Sequence, residues 1–332
     1  MAATFIVTGG AGFIGSNLVR ALNDRGETDI LVVDHLNHPA KRRNLERLSF
    51  REFLDKEEFR TRFKEGRQPR VSCVFHLGAC SSTTEMNEAY INDNNYLYTR
   101  ELCEWALQTG ARFVYASSAA TYGDGSLGYS DSDEITPSLE PLNPYGRSKQ
   151  MFDMWALNTG ALEKIAGLKY FNVYGSWEDH KENMRSVVHK AYGQLLREGR
   201  ITLFKSHRPE YRDGQQERDF IHVSDAVAVT LFFYDHSEVC GLFNCGTGRE
   251  RTWIDLANAV FAAVELPPRI EFIDMPEAIR DKYQYHTCAD LTKLRAAGFR
   301  EPFLSVEEGV RRYVREYLAK EAYGTETGTC LS

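Results

Sequence analysis

Long apolar runs are missing from this 332-residue chain. None approaches the roughly 20 residues needed to span a bilayer, and mean hydropathy is −0.43, so no membrane partner is expected. Cysteine pairs spaced CxxC are missing as well. The cysteines at 73, 80, 103, 240, 245, 288 and 330 are odd in number. They read as reduced thiols and not as a disulfide framework or a zinc site, so no metal is expected. Cationic excess is lacking too: 40 Lys and Arg face 47 Asp and Glu, a formal charge of −7. That balance argues against nucleic acid as a partner. No basic segment precedes the strand-like Thr4–Thr8, so no signal peptide is expected and the setting is expected to be cytoplasmic. What remains is ordinary globular composition, 42% hydrophobic and 26% charged.

The first half alternates short buried-type runs with helical patterns. Thr4–Thr8, Ile30–Val33, Val71–Leu77, Phe113–Ser118 and Ile165–Phe171 read as strands. Phe13–Asn23, Asn95–Gln108 and Tyr145–Asn158 read as helices. Such alternation predicts a parallel sheet covered on both faces and wound by right-handed crossovers. Beyond residue 172 the rhythm loosens. Strands are expected at Ile201–Phe204, Phe220–Val223 and Leu242–Asn244, and helices at Arg185–Glu198, after Phe220–Val223 to about Asp235, at Trp253–Val264 and at Ser305–Leu318. The expected division is a doubly wound α/β domain over 1–171 with returns at about 219–246. A smaller α/β lobe covers 172–218 and about 247–320, and a tail runs over 321–332.

Between the first strand and helix, Gly9, Gly12 and Gly15 stand in Thr8-Gly-Gly-Ala-Gly-Phe-Ile-Gly15. Glycines there permit a tight turn, a close approach to pyrophosphate and helix–strand packing, and the helix N-terminus favours negative charge. Strand, loop, helix and then Asp34 at the end of the next strand form the context of a Rossmann-type dinucleotide site. The ribose end stays open on the residues alone. Asp34 suits a ribose hydroxyl and so NAD, whereas Lys41-Arg42-Arg43 could neutralise the 2′-phosphate of NADP.

In Tyr145-Gly-Arg-Ser-Lys149 the tyrosine and lysine are i and i+4 on one helical face. An ammonium beside a phenol is expected to lower its pKa and make Tyr145 an acid/base for alcohol–carbonyl interconversion. Lys149 could also hold a cofactor ribose. Ser118, in Ala116-Ser-Ser-Ala-Ala-Thr-Tyr-Gly123 after a strand, can bond a substrate oxygen. The bland alternatives are a surface pair and a serine-rich turn.

In this order and spacing, TGGAGFIG, SSAATYG and YGRSK resemble the extended short-chain dehydrogenase/reductase superfamily. Sharper segments are His76-Leu-Gly-Ala-Cys-Ser-Ser-Thr-Thr-Glu85, Tyr170-Phe-Asn-Val-Tyr-Gly175, His180-Lys181, Arg218-Asp-Phe220 and Ala289-Asp-Leu-Thr-Lys-Leu-Arg-Ala-Ala-Gly298. They narrow the resemblance to its ADP-glyceromanno-heptose 6-epimerase family. The resemblance implies a tightly bound NADP, with NAD possible but weaker. It implies oxidation of an ADP-heptose at C6 to a 6-keto intermediate and reduction on the opposite face, serving lipopolysaccharide core precursor synthesis. Tyr145 and Lys181 would be the two acid/base groups, with Ser118 and Lys149 beside them. Cofactor contacts carried over are Gly10, Ala11, Phe13, Ile14, Asp34, His35, Lys41, Lys56, Leu77, Gly78, Ala79, Cys80, Ser81, Asn94, Lys149, Val173 and Lys181. Substrate contacts are Ser118, Asn172, Asn183, Phe204, Lys205, Ser206, His207, Arg218 and Tyr283. The family also implies a homo-oligomer, a pentamer.

Several positions depart from the family pattern. His35 replaces Asn or Asp, Asn183 replaces Ser, Phe204-Lys-Ser-His207 replaces an FEGS-like element, and 208–216 reads as an insertion. Either His189 or Lys190 stands for a family histidine. The rival readings are a UDP-sugar 4-epimerase, a 4,6-dehydratase and a non-catalytic nucleotide-sensing subunit. The dehydratase is disfavoured because Ala120-Thr121 follows the serine motif where an acidic pair is usual.

Overall fold

Phe5–Thr8 (β1) and Ile30–Asp34 (β2) are buried along their whole length, as strands covered on both faces must be. A computed structural model describes residues 4–67, 70–83, 85–280 and 283–321. Further strands are Glu52–Asp55 (β3), Cys73–His76 (β4), Arg112–Ser118 (β5), Ala166–Tyr170 (β6) and Asn172–Tyr174 (β7). Ile201–Phe204 (β8), Glu217–His222 (β9), Gly241–Cys245 (β10), Glu250–Thr252 (β11) and Ile270–Ile273 (β12) complete the set. Seven of them form one parallel sheet in the order β10-β6-β5-β4-β1-β2-β3. The winding direction reverses between β1 and β4, which opens a crevice at their carboxyl ends.

One face of this sheet packs on helices Phe13–Asp24 and Val223–Asp235, through Leu18, Leu22, Val227 and Leu231. The other packs on Tyr98–Thr109 and Pro144–Asn158, through Leu102, Ala106, Phe152 and Ala156. A wider π-type turn, Asn92–Leu97, leads into the first of these helices and buries Asn95. The second half carries the small sheets β11-β9-β7 and β12-β8. They share a separate core of Leu203, Phe220, Val260, Val310 and Tyr313. Of the strands in the expected return at 219–246, Gly241–Cys245 lies in the main sheet. Glu217–His222 pairs with β7 and β11 instead.

Three elements near the ribose end carry little apolar signal. Helix Pro39–Glu46, which holds Lys41-Arg42-Arg43, buries only Ala40, Asn44 and Leu45. Helix Lys56–Lys64 buries only Phe59, and edge strand β3 only Leu54. No helix among the described residues is long and apolar enough to cross a membrane. Of the expected tail, residues 322–332 lie outside the described residues.

A polar tie joins the two strands at the winding reversal. Thr8 and His76 are paired across β1 and β4. Thr8 Oγ1 lies 2.7 Å from His76 Nδ1, and His76 Nε2 lies 2.8 Å from Thr99 Oγ1. Burial pushes the His76 imidazole down to about 3, so it is neutral and donates from only one ring nitrogen. The unfolded imidazole titrates near 6.5, so on acidification the unfolded chain takes the proton first. Stability from this group is complete above pH 6.5 and is lost between 6.5 and about 3. The loss is at most about 1.4 kcal/mol per pH unit. Urea unfolding at neutral and mildly acidic pH is expected to give a shallower pH slope for His76→Asn than for the wild type. Parallel slopes would mean that His76 is not held neutral.

Candidate active site

Gly9 adopts φ +70°, and a Cβ there would lie 2.7 Å from the Gly78 amide nitrogen. The loops after β1 and β4 therefore touch backbone to backbone, which only glycine permits. Gly15 packs equally close: a Cβ on it would overlap the Gly9 carbonyl oxygen. Helix Phe13–Asp24 starts at Gly12 with no side-chain cap and no acidic residue in its first turn. Gly10, Ala11 and Gly12 form the turn, with Gly12 N donating to Gly9 O at 2.9 Å, and the uncapped amides of Phe13 and Ile14 at the helix start are the donors that fit a dinucleotide pyrophosphate.

At the ribose end the Asp34 carboxylate is occupied by the protein. Its Oδ2 accepts from Ala11 N at 2.9 Å, and its Oδ1 accepts from His35 N at 2.7 Å and Lys41 Nζ at 2.8 Å. The carboxylate that the sequence offers to a ribose hydroxyl is thus nearly buried and already paired with a lysine. The His35 ring turns to β3, with Nδ1 2.9 Å from Asp55 Oδ2. Arg42 and Arg43 stay exposed. Across the crevice, Leu77, Gly78, Ala79, Cys80 and Ser81 follow β4. The side chain of Asn95 fixes Cys80 by accepting from its N at 2.8 Å and donating to its O at 3.0 Å. Lys56 Nζ donates to Asn94 Oδ1 at 3.0 Å, so both cofactor candidates stand on one side.

Ser118 ends β5 and its hydroxyl accepts from Ala120 N at 3.1 Å. Asn143 caps helix Pro144–Asn158 by accepting from Gly146 N at 2.8 Å. That start aims Tyr145 at Ser118, and the two side chains are hydrogen-bonded. The expected depression of the tyrosine pKa by Lys149 does not occur. Burial raises the Tyr145 phenol and the Ser118 bond only partly offsets it. Lys149 meanwhile donates to the Ala116 carbonyl at 2.7 Å, and burial pulls its ammonium down to about 8. In the protein alone, Tyr145 is a neutral phenol.

Lys181 sits over the Phe13 ring, 5.1 Å from its centroid, in the turn Asp179–Met184. Burial lowers its ammonium, against the field of Glu178 and with that of Lys190. Glu178 is fully buried and accepts from Ser186 N at 2.6 Å and from Tyr313 Oη at 2.9 Å. Tyr317 also bonds Asp179, and His189 Nε2 lies 3.2 Å from Asp179 Oδ1. The turn is therefore fastened by the helical segment Tyr313–Leu318, which follows helix Val306–Arg312. Glu178 was missed because an acidic residue in a polar stretch gives no signal of burial. His180, beside Lys181, places Nε2 3.9 Å from where a Gly12 Cβ would be, which closes the turn over the glycine loop.

The substrate candidates fall in two groups. Asn172 is exposed at β7, next to the half-buried cofactor candidate Val173, and Asn183 is exposed in the Lys181 turn. Phe204, Lys205, Ser206 and His207 end β8 and lead into 208–216. Here the Phe204 and Tyr283 rings meet at 6.5 Å, and Tyr285 Oη accepts from His207 N at 3.0 Å. Lys205 pairs with Asp274 at 3.3 Å, and Ser206 N donates to Asp213 at 2.8 Å. Arg218 is buried between Trp253 and Tyr283, at 5.6 and 5.2 Å from their centroids. The insertion adds Arg208 over Tyr285, which sequence reading left without a role. Asp219, beside Arg218, is wholly paired with Thr247, Gly248 and Ala289, so it is not the partner of that arginine.

Gly9→Ala is expected to abolish retention of dinucleotide through purification, because the clash is with backbone and cannot relax by side-chain motion. Absorbance at the adenine band after unfolding the purified protein checks it. Full retention would refute the cradle.

The sequence pattern of the NAD dependent epimerase/dehydratase family matches residues 5–246. The chain is 52% identical over 316 residues to an ADP-L-glycero-D-manno-heptose-6-epimerase of Nitratidesulfovibrio vulgaris (strain DP4). The match covers 95% of this chain and 98% of the relative. Its fold is similar to that of the Helicobacter pylori ADP-L-glycero-D-manno-heptose-6-epimerase. The TM-score is 0.78 at 24% identity, over 95% and 96% of the two chains. It is also similar to a Thermotoga maritima UDP-glucose 4-epimerase solved with UDP-glucose, with a TM-score of 0.77 at 28% identity over 96% and 99%. By full-length sequence, by fold and by the glycine loop joined to a Ser, Tyr and Lys cluster, the chain belongs to the NAD dependent epimerase/dehydratase family.

Proposed function

We propose that the protein epimerises ADP-D-glycero-β-D-manno-heptose to ADP-L-glycero-β-D-manno-heptose at C6, by transient oxidation and re-reduction on the opposite face. The observation that carries this reading is the 52% identity spanning 95% of the chain. The UDP-sugar enzyme reaches 28%. The main-sheet domain would hold the dinucleotide and the smaller sheets the ADP-sugar, in a cytoplasmic homo-oligomer.

A bound nicotinamide dinucleotide would supply the removal and return of hydride. The chain's own groups divide the proton work. Tyr145, raised by burial, keeps its proton and can donate it to a substrate oxygen that Ser118 orients. Lys181, lowered by burial, is biased toward the neutral amine that can accept a proton. Arg218 would present its guanidinium to the diphosphate.

Incubation with ADP-D-glycero-D-manno-heptose, read by NMR of the C6 configuration, is expected to show both epimers. Inversion of a UDP-hexose at C4 with no change in ADP-heptose would transfer the protein to the UDP-sugar class. Tyr145→Phe and Lys181→Met are each expected to lose about 10²-fold or more in kcat. A wild-type rate for Lys181→Met in single turnover would refute the two-base mechanism.

The preference for NADP is also part of the proposal. Asp34 alone would repel a 2′-phosphate, but Lys41 already lies 2.8 Å from it. Each charge-assisted contact from Lys41 or Arg42 to phosphate contributes about 1.5–3 kcal/mol. NADP is expected to bind cofactor-stripped protein more tightly than NAD by a modest margin. Lys41→Ala with Arg42→Ala should weaken NADP selectively. Equal or tighter NAD binding in the wild type would mean that Asp34 governs the site.

A further inference from the structure

Beneath Ser118 lies a fully buried ion pair that the proposed chemistry does not use. Asp153 and Lys169 are both 0% exposed, with Lys169 Nζ 3.4 Å from Asp153 Oδ2. For stability alone, a well-packed apolar pair would serve as well, so the informative feature is where these charges are directed. Asp153 Oδ2 accepts from Ser117 Oγ at 2.7 Å, next to Ser118, and Oδ1 accepts from Tyr115 Oη at 2.8 Å. Lys169, paired with Ser117 across β5 and β6, donates to Thr121 Oγ1 at 2.8 Å. Thr121 Oγ1 in turn donates to the Ser118 carbonyl at 2.8 Å. The Tyr122 ring covers the ammonium at 4.8 Å.

The same carboxylate acts on Lys149, which stands beside the Ser118 and Tyr145 pair. Asp153 lies one helical turn beyond Lys149, on the same face. Its charge opposes the desolvation that pulls Lys149 down to about 8. The groups around the pair are Tyr115 and Ser117 of β5, Lys149 of its own helix, and Thr121 and Tyr122 of the turn after β5. Asp131 and Lys293 act on Lys169 from further off, and Tyr145 feels the carboxylate from the substrate side.

We propose that Asp153 and Lys169 are positioning residues: together they fix the backbone that carries Ser118 and hold a negative charge one turn from Lys149. This rests on Ser118, Tyr145 and Lys149 being the reacting cluster. Two substitutions separate the two halves of the role. Asp153→Asn keeps the shape and removes the charge, so Lys149 loses its favourable field while its desolvation persists. The alkaline limb of ADP-heptose turnover, expected near pH 8 in the wild type, should move down by about one unit or more. Thr121→Val keeps every charge and cuts the tie to the Ser118 carbonyl. It should lower kcat about tenfold or more with KM and the limb unchanged. An unmoved limb in Asp153→Asn, or wild-type kcat in Thr121→Val, would overturn the proposal.

Urea unfolding reads the field on Lys149 without any substrate. A buried ammonium destabilises the fold below about 8, and the penalty is relieved as pH rises toward its ordinary 10.5. The stability difference between each protein and its Lys149→Met counterpart should begin to rise near pH 8 in the wild type. In Asp153→Asn it should begin about one unit or more lower. Coincident rises would overturn the positioning role, whereas a wild type that leaves ADP-heptose unchanged would count only against the proposed function.

Discussion

Everything in the site depends on the contact between two backbone turns, Gly9 after β1 and Gly78 after β4. The sheet winds away from this point in both directions, so the two loops face each other with no helix between them. A single Cβ at Gly9 would hold them apart. Thr8, His76 and Thr99 fasten the strands just below, with Gly78 N donating to Thr8 Oγ1 at 3.1 Å. The crevice is therefore narrow at its floor and lined by backbone.

Around that floor, burial divides the labour among ionisable groups. It raises Tyr145 and lowers Lys149 and Lys181, so phenol and amine are pushed toward their neutral forms from opposite directions. The carboxylates close by are each given full sets of donors. Glu178 takes Ser186 and Tyr313, and Asp219 takes Thr247, Gly248 and Ala289. For Asp219 these donors only partly offset burial, which still pushes its carboxyl above the usual carboxylate range.

The doubly wound fold was legible because its strands are continuous apolar runs and its loop glycines have one use at that spacing. The meeting of Ser118 and Tyr145 was legible from the strand before the serine turn and the i and i+4 spacing on a helix, although the spacing alone also fitted a surface pair. What escaped reading was polar. Strand Glu52–Asp55 and the helices Pro39–Glu46 and Lys56–Lys64 bury too few side chains to show a period. Lys169 is a lone charge within a buried strand, a signal that could have been followed to Asp153, one turn past Lys149. The state of Asp34 could not be read at all. Its partners Ala11, His35 and Lys41 come from a loop, a strand end and a helix that meet only in three dimensions.

The fastening of the Lys181 turn has a consequence for how the protein comes into being. Tyr313 reaches Glu178 across 135 positions of chain, and Tyr317 reaches Asp179 across 138. A nascent chain leaves the ribosome N-terminus first, so the glycine loop and Ser118, Tyr145 and Lys149 emerge long before those tyrosines. Translation thus delivers a nucleotide cradle well ahead of an anchored Lys181, and the helical segment that bears Tyr313 and Tyr317 completes the site begun by β1.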